Sequence, residues 1–500
     1  MSKSVVGMWA ELDNKRSGLK SRCERYSQLT IPSICPEDGY DEQSDELRHD
    51  FQSVGVAAVN NLVNKMMLAM FAPSRPFMRY TLPKAQLNRI LQATGLDEAK
   101  LREELSATEL DTVRELDNLG LRPKLYELLA HLIVTGNACR LMQDDVMRVI
   151  GIKNYVVCRD NTGKMLQLII KERCVIRELE PALAALADGN GAAEVDFYRW
   201  WWWEPSRKQY IERQYIGDKE IKDPKYQGRY KPEDMPVQAH YWRLPDSKDY
   251  GIGHVEDYVG DFEGLSQLSE AELNAALLAS EFRWLMDPAG NMRIEDFKGS
   301  RNGDVIPGTE GQLTLVSAGA IANTITVVSA SGDKYIRRIS SGFLITQGLV
   351  RDAERVTAEE IRVLANDLET QLGGIYSLLA LNLQQPLAFW LMHRVNGATL
   401  KGTSFKPTIV TGLDALSRNG DLENVRLFIG DVAQITALPP ETQKWLKLGP
   451  ILSELAAGRG LRSSQYVATQ EEVQQADQAE QDRQMQLIQQ QQALKGQQTR

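Results

Sequence analysis

The chain predicts an α+β fold, mostly helical, on three observations. Helical three-and-four periodicity runs through its first third, the period switches to two from about Met147, and beyond Phe262 two apolar stripes of equal length flank a stretch punctuated by Pro and Gly. With 500 residues, more than one core is needed and two to four subdomains are expected; 43% hydrophobic and 25% charged residues is the composition of a folded globular chain. The net charge of -9 argues against general coating of nucleic acid but leaves room for local basic features facing a polyanion.

Taken in order, "DELRHDFQSVGVAAVNNLVNKMMLAMF" carries Val59, Leu62, Val63, Met66 and Met70 on one helical face, for which core packing is a sufficient role, and "APSRPF" ends it. "GLDEAKLREELSATELDTVRELDNLG" reads as a charge-laced, solvated helix, and "RPKLYELLAHLIVTGNACRLM" as a more buried one. From Met147, "VMRVIGIKNYVVCRDNTGKMLQLIIKERCVIREL" and "VDFYRWWWWEPSRKQYIERQYIGDKEI" are rich in β-branched and aromatic residues bounded by turn signals, so this is a sheet region. On a strand Trp200 to Trp203 alternate faces: two enter a core, and for the other two a subunit or domain contact and simple edge packing both fit.

Next, Phe262 to Met286 reads as a 25-residue helix with Leu265, Leu268, Ala275, Ala279 and Phe282 in step, and Ile321 to Ile345 as its equal, with Ile325, Val328, Tyr335, Ile339 and Phe343 in step. "NTITVVSAS" in the second has strand-like local propensity, and only the longer stripe favours helix. Each would span roughly 37 Å. Residues 287–320 between them form a small module at the far end of a helical hairpin. Thr357 and Glu360 then make a capping box, stapled by Val356 and Ile361, for a helix whose stripe (Ile361, Leu364, Leu368, Leu372, Ile375, Leu379) runs through Gly373 and Gly374. That glycine pair marks a bend, a close helix contact or a junction, and Pro386 imposes a second irregularity. The Gln-rich tail from Glu471 reads as low-complexity disorder, with a partner-dependent helix as the alternative.

Chemistry-bearing motifs are missing. There is no GxxxxGK[ST], HExxH or GxSxG; "GIGH" (251–254) lacks the third glycine of a dinucleotide loop and reads as a turn. His49, His131, His240, His254 and His393 are scattered singly, and the five cysteines follow no zinc or redox spacing, so no catalytic residue, metal or cofactor is expected and no enzyme is supported. With no signal-peptide pattern and no apolar run of about 18 residues, the chain is expected to fold in cytoplasm, away from membrane.

From roughly Gln52 to Arg418 the chain resembles the portal, or head-to-tail connector, proteins of short-tailed bacteriophages. The carriers are "AVNNLVNKMMLAMFAPSRPF" (58–77), "TGNACRLM" (135–142), "YGIGHVEDYVGDFEGLSQLSE" (250–270), "DPAG" (287–290), "ERVTAEEIR" (354–362) with "LETQLGGIYSLL" (368–379), and "TIVTGLDALSR" (408–418). The resemblance implies a non-catalytic ring, normally of twelve copies, at one capsid vertex, through which a terminase large subunit threads double-stranded DNA; a tail adaptor attaches later, and scaffolding and major capsid proteins surround it. Its parts would be a helical N-terminal wing (1–146), a β-rich wing (147–261), stem helices (262–286 and 321–345), a clip (287–320), a channel loop (346–356), a wing helix leading to the crown (357–440) and a crown or barrel (441–500). It makes Arg351, Arg355, Lys334 and Arg337 candidates for the DNA channel, and Arg293, Asp296, Lys298 and Arg301 candidates for docking motor and tail. The plain alternatives are a solvated charged surface and local pairs, Arg355 with Glu359 and Arg351 with Glu354. The rival function is another non-catalytic virion scaffold, such as a tail adaptor.

Overall fold

The computed structural model describes residues 4–72, 76–81, 98–280, 282–290, 293–301, 303–305, 307–317, 321–345, 358–395 and 408–411, with the single positions 430 and 452. The chain divides into two units, Met1–Val356 with Leu364–Val410, and Thr357–Val363 with Thr411–Arg500; nearly all of the described residues belong to the first.

Helix α1 (Val5–Lys15) starts where the Ser4 hydroxyl accepts the Gly7 N–H at 3.1 Å, and α2 (Ser17–Leu29) follows directly. In α3 (Val54–Met70) the expected stripe of Val59, Leu62, Val63, Met66 and Met70 is buried. Strand β1 (Met78–Thr81) precedes α4 (Glu98–Asn118) and α5 (Leu121–Thr135). Gly136, left-handed with φ 73°, stops α5, and "NACRLM" turns into strand β2 (Asn137–Gln143), followed by β3 (Val146–Ile150). The helical reading of 1–146 is therefore corrected: the sheet region begins at Asn137. Gly136 takes its positive φ without steric cost, and that turn ends the helix here despite the apolar residues beyond it.

The β-rich region consists of β4 (Tyr155–Arg159), β5 (Met165–Val175), a short α6 (Pro181–Ala184), β6 (Glu194–Glu204), β7 (Gln209–Ile216), β8 (Lys219–Glu220), β9 (Gln227–Tyr230) and β10 (Val237–Tyr241). Strands β4 to β8 lie in sequence order in one antiparallel sheet, with β9 also paired to β7, while β10, β2 and β3 form a second sheet. The two sheets share a core in which Tyr155, Val157, Leu168, Ile170 and Trp201 meet Cys139, Leu141 and Val237. Alternation sends Val156, Ile169 and Tyr198 to the other face, where Val5, Trp9 and Leu12 of α1 cover them. The tryptophan run alternates across the sheet as expected. Trp201 is fully buried in the shared core with Trp203 packed against it; Trp200 lies against the cluster under α1, and Trp202 sits 5.1 Å from it ring to ring.

Beyond the sheets come α7 (His254–Asp257), α8 (Val259–Ser280), β11 (Phe282–Met286), α9 (Ile294–Gly299), β12 (Leu313–Ser317) and α10 (Ile321–Gly342). The expected helix 262–286 is corrected at its end: Phe282–Met286 is a strand paired with Leu313–Ser317, since a ladder with a β-branched partner outweighs one more turn of the apolar stripe. The expected helix 321–345 holds as far as Gly342.

Helix α11 (Ala358–Gln371) ends before Gly373 and Gly374, with φ of 61° and 88°. Of the three alternatives for this pair, the junction is correct. The Glu369 carboxylate accepts the Ser377 N–H at 2.9 Å across it and so caps α12 (Ile375–Leu379). A π-turn, Ala380–Gln384, then leads into α13 (Gln385–Val395), placing the second irregularity directly before Pro386. Strand β13 (Thr408–Thr411) pairs with β1. The Thr357 capping box, residues 346–356 and the Gln-rich tail lie outside the described residues.

Candidate functional site: the helical hairpin, root to tip

The root is built by glycines that let backbone touch backbone. A Cβ on Gly253 would lie 2.7 Å from Gly136 N, 2.8 Å from Val134 O and 2.9 Å from Ile133 O, and one on Gly136 would lie 2.4 Å from Gly253 N. The Asn137 side chain locks the approach from both sides, accepting the Gly251 N–H at 2.7 Å and donating to the Gly251 carbonyl at 2.8 Å. "TGNA" and "YGIGH", far apart in sequence, thus form one junction; the expected turn at "GIGH" is corrected, since Ile252 bridges Arg243 in extended conformation and His254 already opens α7. The junction seats α7 and its His254, whose ring packs against Trp242 (5.8 Å), Tyr258 (5.1 Å) and Phe343 (4.7 Å); Phe262 and Phe343 are fully buried beside it. Burial in this nest holds His254 below the usual histidine range, hence neutral.

From that root α8 and α10 run antiparallel. Asp261 pairs with Arg338 at 3.2 Å, and the Tyr335 ring lies 3.0 Å from where a Gly264 Cβ would be. Burial fades along the pair: Leu265 and Ile339 are buried near the root, whereas Leu273 is 50%, Leu277 57% and Val327 67% exposed. Lys334 and Arg337 are both exposed on α10.

At the tip, β11 and β12 pair from Phe282 opposite Ser317 to Met286 opposite Leu313. The "DPAG" turn closes with Asp287 Oδ1 accepting the Ala289 N–H at 2.9 Å and the Asp287 N–H donating to the Gln312 carbonyl at 2.9 Å. Arg293 immediately precedes α9, Lys298 lies in it and Arg301 just follows it, all three exposed; Asp296 is in the same helix. Sequence reasoning passed over the apolar residues of this tip. Leu285, Ile294 and Val305 are all exposed, and their signal was apolar side chains in a turn-rich stretch too short to bury them. Arg351 and Arg355 lie outside the described residues. Among the described residues no group of three or more His, Cys, Asp or Glu is placed to hold a metal ion, and no helix is long and apolar enough to cross a membrane.

A model of the bacteriophage head-to-tail connecting protein family matches residues 2–464. The chain belongs to that family. The connector is 30% identical over 488 residues to the portal protein of Enterobacteria phage SP6, covering 94% of this chain and 91% of the relative. It is 29% identical over 491 residues to that of Escherichia phage T7 (95% and 89%), and 30% identical over 500 residues to that of Pseudomonas phage phiKMV (97% and 95%). Among solved structures, a chain in the neck of an empty GTA particle is similar at 15% identity and a TM-score of 0.37, covering 82% of this chain and 90% of that one.

Proposed function

We propose that the connector works as a closed ring of identical chains, twelve by the family's habit, set at one capsid vertex as the conduit for double-stranded DNA. Joining head to tail, it serves genome packaging and ejection. The observation that supports the ring is the hairpin itself: it buries apolar side chains at its root and leaves Leu273, Leu277 and Val327 open farther out, surface that a neighbouring copy would cover. End-on class averages of the purified protein test this, with a closed ring and central hole expected; a monomer at micromolar concentration refutes it.

The finer reading assigns Lys334, Arg337, Arg351 and Arg355 to the channel. Guanidinium and ammonium contacts to phosphate hold DNA without reading its sequence, and ring repetition turns each residue into a band of positive charge. The tip module docks the terminase large subunit during packaging and a tail adaptor afterwards, through Arg293, Asp296, Lys298 and Arg301; Arg293, Lys298 and Arg301 are exposed and so available to a partner. Scaffolding and major capsid proteins contact the ring during assembly in the host cytoplasm, after which it stays in the virion; the chemistry of packaging belongs to the motor. Replacing all four tip residues with alanine should leave rings intact and abolish packaging, and unchanged packaging would remove the assignment. Arg351→Ala should preserve assembly and motor ATP hydrolysis while fewer capsids keep a full genome; wild-type retention at every salt concentration rules the channel role out.

A further inference from the structure

We infer that Asn61, Lys65 and His254 form one three-donor anchor that fixes the axial and rotational setting of α10 on the body of the protein, and that they are positioning residues for the conduit.

A helix leaves its last carbonyls without intrahelical donors. At the end of α10, two are satisfied by a Schellman closure: Ile345 N–H donates to Ser340 O at 2.7 Å and Leu344 N–H to Ser341 O at 3.2 Å. Glycine is usual at the left-handed position of that motif, but here it is Leu344, at φ 58° and buried. A leucine held there is strained, and it persists only where its surroundings over-determine it. Those surroundings are three side chains reaching three consecutive carbonyls. His254 Nε2 meets Gly342 O at 2.9 Å, Asn61 Nδ2 donates to Phe343 O at 2.9 Å, and Lys65 Nζ donates to Leu344 O at 2.5 Å. A carbonyl only accepts, so Nε2 of the neutral His254 ring carries the proton. Gly342 fits because it has no side chain: a Cβ there would lie 2.3 Å from the Tyr258 ring.

Asn61 and Lys65 are one turn apart on α3, and α3 grips a second segment farther along. Its Ala69 carbonyl accepts from Tyr376 Oη at 3.3 Å and its Met70 carbonyl from Gln384 Nε2 at 2.6 Å. From Asn61 to Met70 is about 13 Å of helix. The end of the hairpin's return limb and the segment beyond the Gly373–Gly374 junction are therefore both indexed to this one rigid helix. Apolar packing of Phe343 alone would hold the limb in place but would let it turn or slide. Three directional bonds to successive carbonyls do not, so they set where Lys334 and Arg337 stand around α10, identically in every copy. This last step rests on the reading of the hairpin as the limb that faces DNA.

The test uses assembled full-length protein. Asn61→Ala with Lys65→Met removes two donors and keeps the lysine's apolar stem; Lys65→Arg and His254→Gln are the conservative variants, and Leu12→Ala under α1 is a remote destabilised control. Rings are expected to form in all of them. Backbone hydrogen exchange at 342–345 should rise about tenfold or more in the double variant, as expected for lost hydrogen bonds of ordinary strength, with fewer capsids retaining DNA. Lys65→Arg and His254→Gln, each of which keeps a donor, should leave both at the parent level, and Leu12→Ala should change neither. Unchanged exchange at 342–345 overturns the anchor, and so does an equal loss of retention in Leu12→Ala, which would make the effect general instability. Raised exchange with full retention overturns the positioning role and assigns the fault to the reading of the hairpin; should the double variant fail to assemble, Lys65→Met alone is judged by the same criteria.

Discussion

Gly253→Ala puts a methyl group where three backbone atoms already stand within 2.9 Å of its position. Contacts that close cannot persist, and the neighbours here are main chain of α5 and its cap, with no side chain able to swing away. Overpacking of this kind costs about 1–3 kcal/mol. Gly136→Ala faces the same wall from the other side, its Cβ 2.4 Å from Gly253 N, and in addition requires a left-handed alanine at φ 73°, so the total there is about 2–5 kcal/mol. Gly18, near the start of α2, has nothing within 4 Å of its Cβ position, and Gly18→Ala should be neutral or stabilise by about 0.5–1 kcal/mol. Thermal scans of the three variants beside the parent, under one buffer and protein concentration, should rank Gly18→Ala at or above parent, Gly253→Ala below it and Gly136→Ala lowest. A Gly253→Ala protein that melts with the parent would show that the junction yields, and the account of "TGNA" and "YGIGH" as a rigid seat would be wrong.

His131 is buried with Nδ1 unpartnered, and burial pushes its pKa down to about 4, whereas an unfolded histidine titrates near 6.5. The unfolded chain thus binds the proton first as pH falls, and stability present above about pH 6.5 is lost on the way to pH 4, by about 2–3 kcal/mol at pH 4.5. His131→Leu should lose less melting temperature between pH 7 and 4.5 than the parent; parallel slopes refute this. Glu369→Ala removes the cap on α12 and should cost about 1 kcal/mol, and Gly374→Ala about 1–2 kcal/mol from backbone conformation alone, since its Cβ would touch only the edge of the Glu369 side chain; melting temperatures check both, and an unaffected Gly374→Ala would mean the left-handed turn is not needed.

Where local rules decide the outcome, the sequence was legible. The stripe on α3, the period change into the sheets, the hairpin with its tip module, the Gly373–Gly374 break and the disturbance before Pro386 all follow from spacing, turn residues and the geometry of glycine and proline. Phe282 was misread because its competing partner, Ser317, lies at the far end of the module, and helical phase carries no record of a distant strand. "NACRLM" was misread because its apolar residues suit a helix as well as a strand, and the deciding event was the turn at Gly136. Asn61 and Lys65 look like the polar edge of an amphipathic helix; their acceptors are main-chain oxygens, which leave no mark in a pattern of side chains. The tip cations are exposed as expected, while Arg351 and Arg355 fall outside the described residues.

The helix that packs over Trp200 lies far from it in sequence, so one face of the large sheet is completed only when a long loop closes. Trp9 meets Tyr198 at 6.1 Å between ring centres, a contact of high loop-closure cost that should form late in folding. Until then Val156, Ile169, Tyr198 and Trp200 present an apolar, strand-borne surface to solvent, the condition under which edges and faces of sheets adhere to one another. Shortening the amino terminus through Leu12 would make that temporary exposure permanent, and the yield of soluble chain, more than the strength of any finished ring, would register the loss.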